Sequence, residues 1–149
     1  MSGTLYGVGV GPGDPDLITL KAHKVLQTAP VLAYPAPEVG ESLARRIAAP
    51  HIPEGRREII IRMPLDPKRF PDRTAYDKGA AEIAQALRGG QDVAVLCEGD
   101  PFFYGSFMYL FNRLTDEFPV QVVPGISSLL ACAGAARTPL VARNEVLSI

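Results

Sequence analysis

The sequence predicts an α/β domain: a mostly parallel, five-stranded sheet covered by helices on both faces. Three observations predict it. Strand-like and helix-like patterns alternate along the chain, as they do in successive β-α-β units. Residues 92–97 form a short apolar run of the kind found in a strand buried on both faces. The 14 glycines and 14 prolines are not dispersed. They cluster at 7–15, 34–40, 64–71, 99–105 and 124–125, after strand-like runs or before helical ones, where open α/β sheets carry their chemistry.

Each element has its own warrant. Residues 5–10 read as a first strand, punctuated by glycine where another backbone or a ligand approaches. Thr19 is placed to cap a helix over 20–29, with Leu20, the stem of Lys24 and Leu26 toward its buried side. Pro30 permits a second strand over 31–34. Ser42 caps a short helix to Ala48 that Pro50 ends. Three consecutive isoleucines mark a strand over 58–62. Tyr76, Ala80, Ile83, Ala84 and Leu87 fall at helical spacing within 74–88, and Gly89-Gly90 closes that helix. After the strand at 92–97, Phe107, Leu110, Phe111 and Leu114 define an amphipathic helix that Ser106 can cap. A fifth strand at 120–123 and a small-residue helix at 127–136 follow. Residues 139–149 read as a connection into a further strand at 146–149, with nothing after it to pair. That pattern predicts a truncated domain, and residues 1–149 read as a single α/β unit with no internal boundary.

Composition narrows the function classes. A chain of 149 residues, 47% hydrophobic and 21% charged, is an ordinary globular domain. A net charge of −1 gives no global attraction to nucleic acid or anionic membrane. No apolar run reaches membrane-span length and no secretory leader pattern opens the chain, so cytoplasmic residence is expected. Cys97 and Cys132 sit in separate apolar runs and form no metal-ligand pattern. Both are expected to be core residues, and no metal is expected.

Three loops carry the candidate chemistry. The first, Gly7-Val8-Gly9-Val10-Gly11-Pro12-Gly13-Asp14, fails the dinucleotide-binding register in every frame: Pro12, Asp14 or Asp16 stands where the third glycine belongs. No phosphate-loop Gly-Lys-Ser/Thr occurs either. Its spacing alone suits a tight turn as well as a ligand site. The second, residues 97–106, places Glu98 and Asp100 beside Phe102, Phe103 and Tyr104. Carboxylates and exposed main chain there can hold a ribose or an amine, with a flat aromatic wall beside them. The third, residues 122–128, turns sharply at Pro124-Gly125 and offers Ser127 and Ser128 at a helix start.

Together, and in this order, the run Tyr-Gly-Val-Gly-Val-Gly-Pro-Gly-Asp-Pro-Asp-Leu from Tyr6, then Gly-Asp-Pro-Phe-Phe-Tyr-Gly from Gly99, then Val-Pro-Gly-Ile-Ser-Ser from Val123 resemble the tetrapyrrole methylase family. The stretches at 34–38 and 95–100 look like its precorrin-2 C20-methyltransferase branch, and Pro35 stands where the uroporphyrinogen III branch has aspartate. The resemblance implies methyl transfer from S-adenosylmethionine to carbon 20 of precorrin-2, giving precorrin-3A in cobalamin biosynthesis. It implies cofactor contacts at Pro12, Glu98, Gly99, Asp100, Phe103, Ser127 and Ser128, a homodimer, and residues 1–149 as the family's first domain with its second domain absent. The alternatives are a cobalt-containing substrate, cobalt-factor II, or a non-catalytic binding or assembly domain. Aligning the sulfonium methyl with a nucleophilic carbon is a proximity task that needs no metal. A proton must leave the macrocycle; Tyr34, Glu98 and Asp14 are its candidate acceptors, and no catalytic residue is assigned. Arg45, Arg46 and Arg62 are candidates for the substrate's carboxylates.

Overall fold

The computed structural model describes residues 1–64 and 72–149. The glycine- and proline-rich cluster at 64–71 therefore lies, beyond Pro64, outside the described residues. Five strands occur among those described: β1 (Leu5–Gly9), β2 (Val31–Pro37), β3 (Arg57–Met63), β4 (Val93–Cys97) and β5 (Val120–Val123). They lie in the order β3-β2-β4-β1-β5, and every pairing is parallel.

β2 runs three residues beyond its predicted end, through Pro35 and Pro37. The register explains this. β2 pairs with β3 along its full length, Val31 opposite Arg57 to Pro37 opposite Met63, but with β4 only from Val31 to Ala33. Both prolines fall where the strand has one neighbour, so their missing N–H groups break no central ladder.

The helices divide between the two faces. α1 (Leu20–Thr28) and α2 (Leu43–Ala48) pack with Val8, Leu32, Tyr34, Ala94 and Leu96 on one face. α3 (Arg73–Arg88) and α4 (Phe107–Leu114) pack with Leu5, Ile59, Ile61, Val93 and Val95 on the other. Side chains alternate across each strand, so neighbouring residues of β4 serve opposite cores, whereas the edge strand β3 buries Ile59, Ile61 and Met63 and turns Ile60 outward. Caps set the boundaries. Thr19 Oγ1 accepts the N–H of Ala22 at 3.1 Å, and Ser42 Oγ that of Arg45 at 3.3 Å. α3 starts one residue earlier than expected because Asp72 Oδ1 takes the N–H of Ala75 at 3.1 Å. Ser106 precedes α4 but makes no side-chain cap.

Three further expectations are corrected. α1 buries Ala22 and Leu26, whereas Leu20 is 80% exposed and Lys24 is exposed as well, because the buried stripe is the narrow one of a short helix. Cys132 is exposed, since α5 (Ser128–Ala136) buries none of its residues. Residues 146–149 form no strand, having no neighbour to hydrogen-bond.

Candidate functional site

The strand order dictates where a ligand can sit. β1 and β4 are neighbours, yet the chain leaves β1 for the α1 face and β4 for the α4 face. Their loops part, opening a crevice at the carboxyl rim, the topological switch point of an open α/β sheet. β5 flanks β1 on the other side, and the registers Gly9 opposite Cys97 and Val8 opposite Val123 bring all three strand ends level. The three candidate loops therefore leave one rim. Pro12, Glu98, Gly99, Asp100, Phe103, Ser127 and Ser128 all line a single cleft of about 350 Å³. Tyr104, Leu129 and Ile149 complete its wall; of these, Tyr104 was legible as the third aromatic of its loop.

Main chain holds the loops together. Gly11 and Gly99 exchange hydrogen bonds, the N–H of Gly99 reaching Gly11 O at 2.8 Å and that of Gly11 reaching Gly99 O at 3.3 Å. Gly9, Gly99 and Gly125 then meet so closely that a Cβ on Gly125 would stand 1.9 Å from Gly99 O and 2.8 Å from Gly9 Cα. Only hydrogen fits there. The close approach expected of the glycines in the first strand is met at Gly9, where a Cβ would stand 2.6 Å from Gly125 Cα, and Gly125, expected as part of a sharp Pro-Gly turn, is held to glycine by the same contact.

The two acids of the second loop have different fates. Asp100 Oδ1 accepts the N–H groups of Phe102 at 2.9 Å and Phe103 at 3.1 Å, and its Oδ2 accepts that of Gly125 at 3.0 Å. Asp100 thus folds its own turn and ties it to the third loop. Glu98 is an exposed residue that lines the cleft, and no hydrogen bond or ion pair engages it among the described residues. The protein mass around it desolvates its carboxyl and pushes it above the usual carboxylate range. Ser127 Oγ accepts the N–H of Leu129 at 3.3 Å as the cap of α5. Asp14 caps a short 3-10 turn at Pro15–Leu17, accepting from the N–H of Asp16 at 2.9 Å. Burial pushes the Cys97 thiol up to about 12, so it is an inert core residue.

The three candidate arginines gather elsewhere, around a separate cavity of about 400 Å³ between α2 and the edge strand β3. Arg45 forks onto Glu58, with Nη2 3.0 Å and Nε 3.2 Å from Oε1. Arg62 Nη1 donates to Pro37 O at 2.9 Å and Gly40 O at 2.8 Å, pinning the loop after β2. Tyr34 donates its hydroxyl to Glu58 Oε2; burial first, and Glu58 second, push this phenol up to about 12. It stays protonated and takes no proton from a substrate. Glu58, the hub of this network, was not singled out from the sequence, although its place at the head of the isoleucine strand put it within reach of α2. Among the described residues no group of three or more His, Cys, Asp or Glu side chains is arranged to hold a metal ion. No helix among them is long and apolar enough to cross a membrane.

Comparison with known proteins agrees with this geometry. The model of the Tetrapyrrole (Corrin/Porphyrin) Methylases matches residues 4–149. The chain is 43% identical over 155 residues to the cobalamin biosynthesis protein CobIJ of Mycobacterium tuberculosis, covering 99% of this chain and 30% of that protein. It is 41% identical over 155 residues to a precorrin-2 C(20)-methyltransferase of Sinorhizobium sp, covering 99% of this chain and 63% of the relative. The chain thus spans between about a third and two thirds of these relatives' length. The structure of a uroporphyrin-III C-methyl transferase from Thermus thermophilus complexed with S-adenosylhomocysteine superimposes with a TM-score of 0.66 at 30% identity, over 95% of this chain and 51% of that one.

Proposed function

The chain belongs to the tetrapyrrole (corrin/porphyrin) methylases, and from that premise we propose that it is the cofactor-holding α/β unit of an S-adenosylmethionine-dependent methyltransferase acting on carbon 20 of precorrin-2. The product is precorrin-3A, and the protein serves cobalamin biosynthesis as a cytoplasmic homodimer. The observation that carries the reading is the convergence of Pro12, Glu98, Gly99, Asp100, Phe103, Ser127 and Ser128 on one cleft at the switch point. The likeness to a C20-methyltransferase of Sinorhizobium supports the choice of carbon.

The residues fit the cofactor's chemistry. Phe103 offers a flat apolar face and the main chain at Gly99 offers polar groups to a nucleoside. Glu98 adds a carboxylate to the wall of the same cleft. The cofactor supplies an already activated methyl group; the protein aligns it with the accepting carbon and keeps water away. The test is incubation of the full-length protein with methyl-labelled S-adenosylmethionine and precorrin-2. Label is expected on carbon 20. Label on another carbon overturns the position, and no label overturns the substrate. Calorimetry with S-adenosylhomocysteine separates an enzyme from an assembly domain: micromolar binding is expected, and no binding supports the latter.

A further inference from the structure

We propose that Glu98 is the proton acceptor of the methyl transfer, a deprotonation that rests on the methyltransferase reading above. The accepting carbon is a bridging carbon that carries one hydrogen. When its π electrons form the new carbon–carbon bond, the methyl–sulfur bond breaks and sulfur keeps that electron pair, leaving a neutral thioether. The macrocycle is left with a positive charge and a tetrahedral carbon bearing both methyl and hydrogen. Conjugation returns only when that hydrogen leaves as a proton, its bonding pair flowing back into the ring. The proton needs a base at the cleft.

The structure eliminates the other candidates one by one. The carboxylate of Asp100 is committed to three main-chain N–H groups. Asp14 is occupied as a cap and does not line the cleft. Tyr34 holds its proton against Glu58 on the far flank. Tyr104 is a phenol 81% exposed at the mouth. Glu98 alone of the acids lining the cleft has both oxygens free among the described residues, and its main chain is held immediately before the Gly11–Gly99 exchange. Desolvation raises its carboxyl, which strengthens it as a base, in the direction that enzymes tune such groups.

Glu98→Gln in the full-length protein tests this, with Glu98→Asp beside it. Gln keeps the shape and the hydrogen-bonding capacity toward a cofactor but cannot take a proton. Its turnover is expected to fall by about 10²-fold or more, the usual contribution of a general base, while the dissociation constant for S-adenosylhomocysteine stays within about threefold of the parent. Retained binding also reports a folded cleft. Glu98→Asp keeps the carboxylate and is expected to recover part of the rate. With deuterium on the accepting carbon, Glu98→Gln is expected to show a larger isotope effect than the parent, because proton loss becomes limiting. Parent-like turnover in Glu98→Gln overturns the proposal, as does loss confined to cofactor affinity, which makes Glu98 a binding contact only. A parent protein that transfers no methyl overturns the methyltransferase reading itself, so the two failures are distinguishable.

Discussion

At the rim cleft main chain meets main chain, whereas at the flank between α2 and β3 side chain meets side chain. In the cleft, Gly9, Gly99 and Gly125 are in backbone contact, and the acid that braces them, Asp100, bonds only to N–H groups. At the flank, Arg45, Tyr34 and Glu58 hold each other through long side chains, about 30% exposed in the Arg45–Glu58 pair. Main-chain contact fixes positions to a fraction of an ångström and leaves no room for change. Side-chain pairing adapts and exchanges with water. The cleft thus has the rigidity that the proposed cofactor site requires, whereas the flank stabilises an edge strand.

The largest effect that would break this comparison is Gly125→Ala. Its Cβ would stand 1.9 Å from Gly99 O, and neither backbone can yield without separating the loops. Overpacking of this kind against main chain is expected to cost about 3 kcal/mol or more, read from the denaturant midpoint, together with loss of cofactor binding. A variant within 1 kcal/mol of the parent would show that the loops are not held by this contact. Asp100→Ala comes next. The N–H groups of exposed Phe102 and Phe103 can turn to water, but that of part-buried Gly125 cannot. About 2 kcal/mol is expected, because an orphaned donor carries its desolvation penalty in full. If Asp100→Ala is as stable as the parent, the third loop is anchored by something other than this carboxylate.

Much of the fold could be read in advance because its signals are local: caps at Thr19 and Ser42, the helical stripe from Tyr76 to Leu87, the isoleucine run of β3. Less local features escaped. β2 passes through Pro35 and Pro37 only because β4 has stopped pairing at Ala33, a fact about a strand sixty residues away. α5 is apolar in composition yet buries nothing, so Cys132 could not be placed from its neighbours. The site divides in the same way. Its loops were visible as glycine and proline clusters and as a family resemblance. The separate fates of Glu98 and Asp100 were not, since they depend on the left-handed turn at Gly99, φ +60°, and on the contact with Gly125 across the rim.

The smallest expected effect sharpens the comparison from the flank. Arg45 in first place, and Tyr34 after desolvation, favour the ionised form of Glu58 and hold its carboxyl below the usual range. A carboxylate depressed in the folded state contributes stability that is present above its unfolded value and lost as pH falls through the folded one. Glu58→Gln keeps an acceptor for Tyr34 and removes the charge facing Arg45. At neutral pH it is expected to cost about 1 kcal/mol or less, the ordinary worth of a partly exposed ion pair. The difference from the parent should shrink as pH drops below the carboxylate range, where the parent's own Glu58 becomes protonated. Denaturant titrations at neutral and acidic pH, with S-adenosylhomocysteine affinity measured alongside, read both halves. A pH-independent difference would mean that Glu58 acts by packing and not by charge. A parallel loss of affinity would mean that flank and cleft are coupled, which their separate means of support argue against.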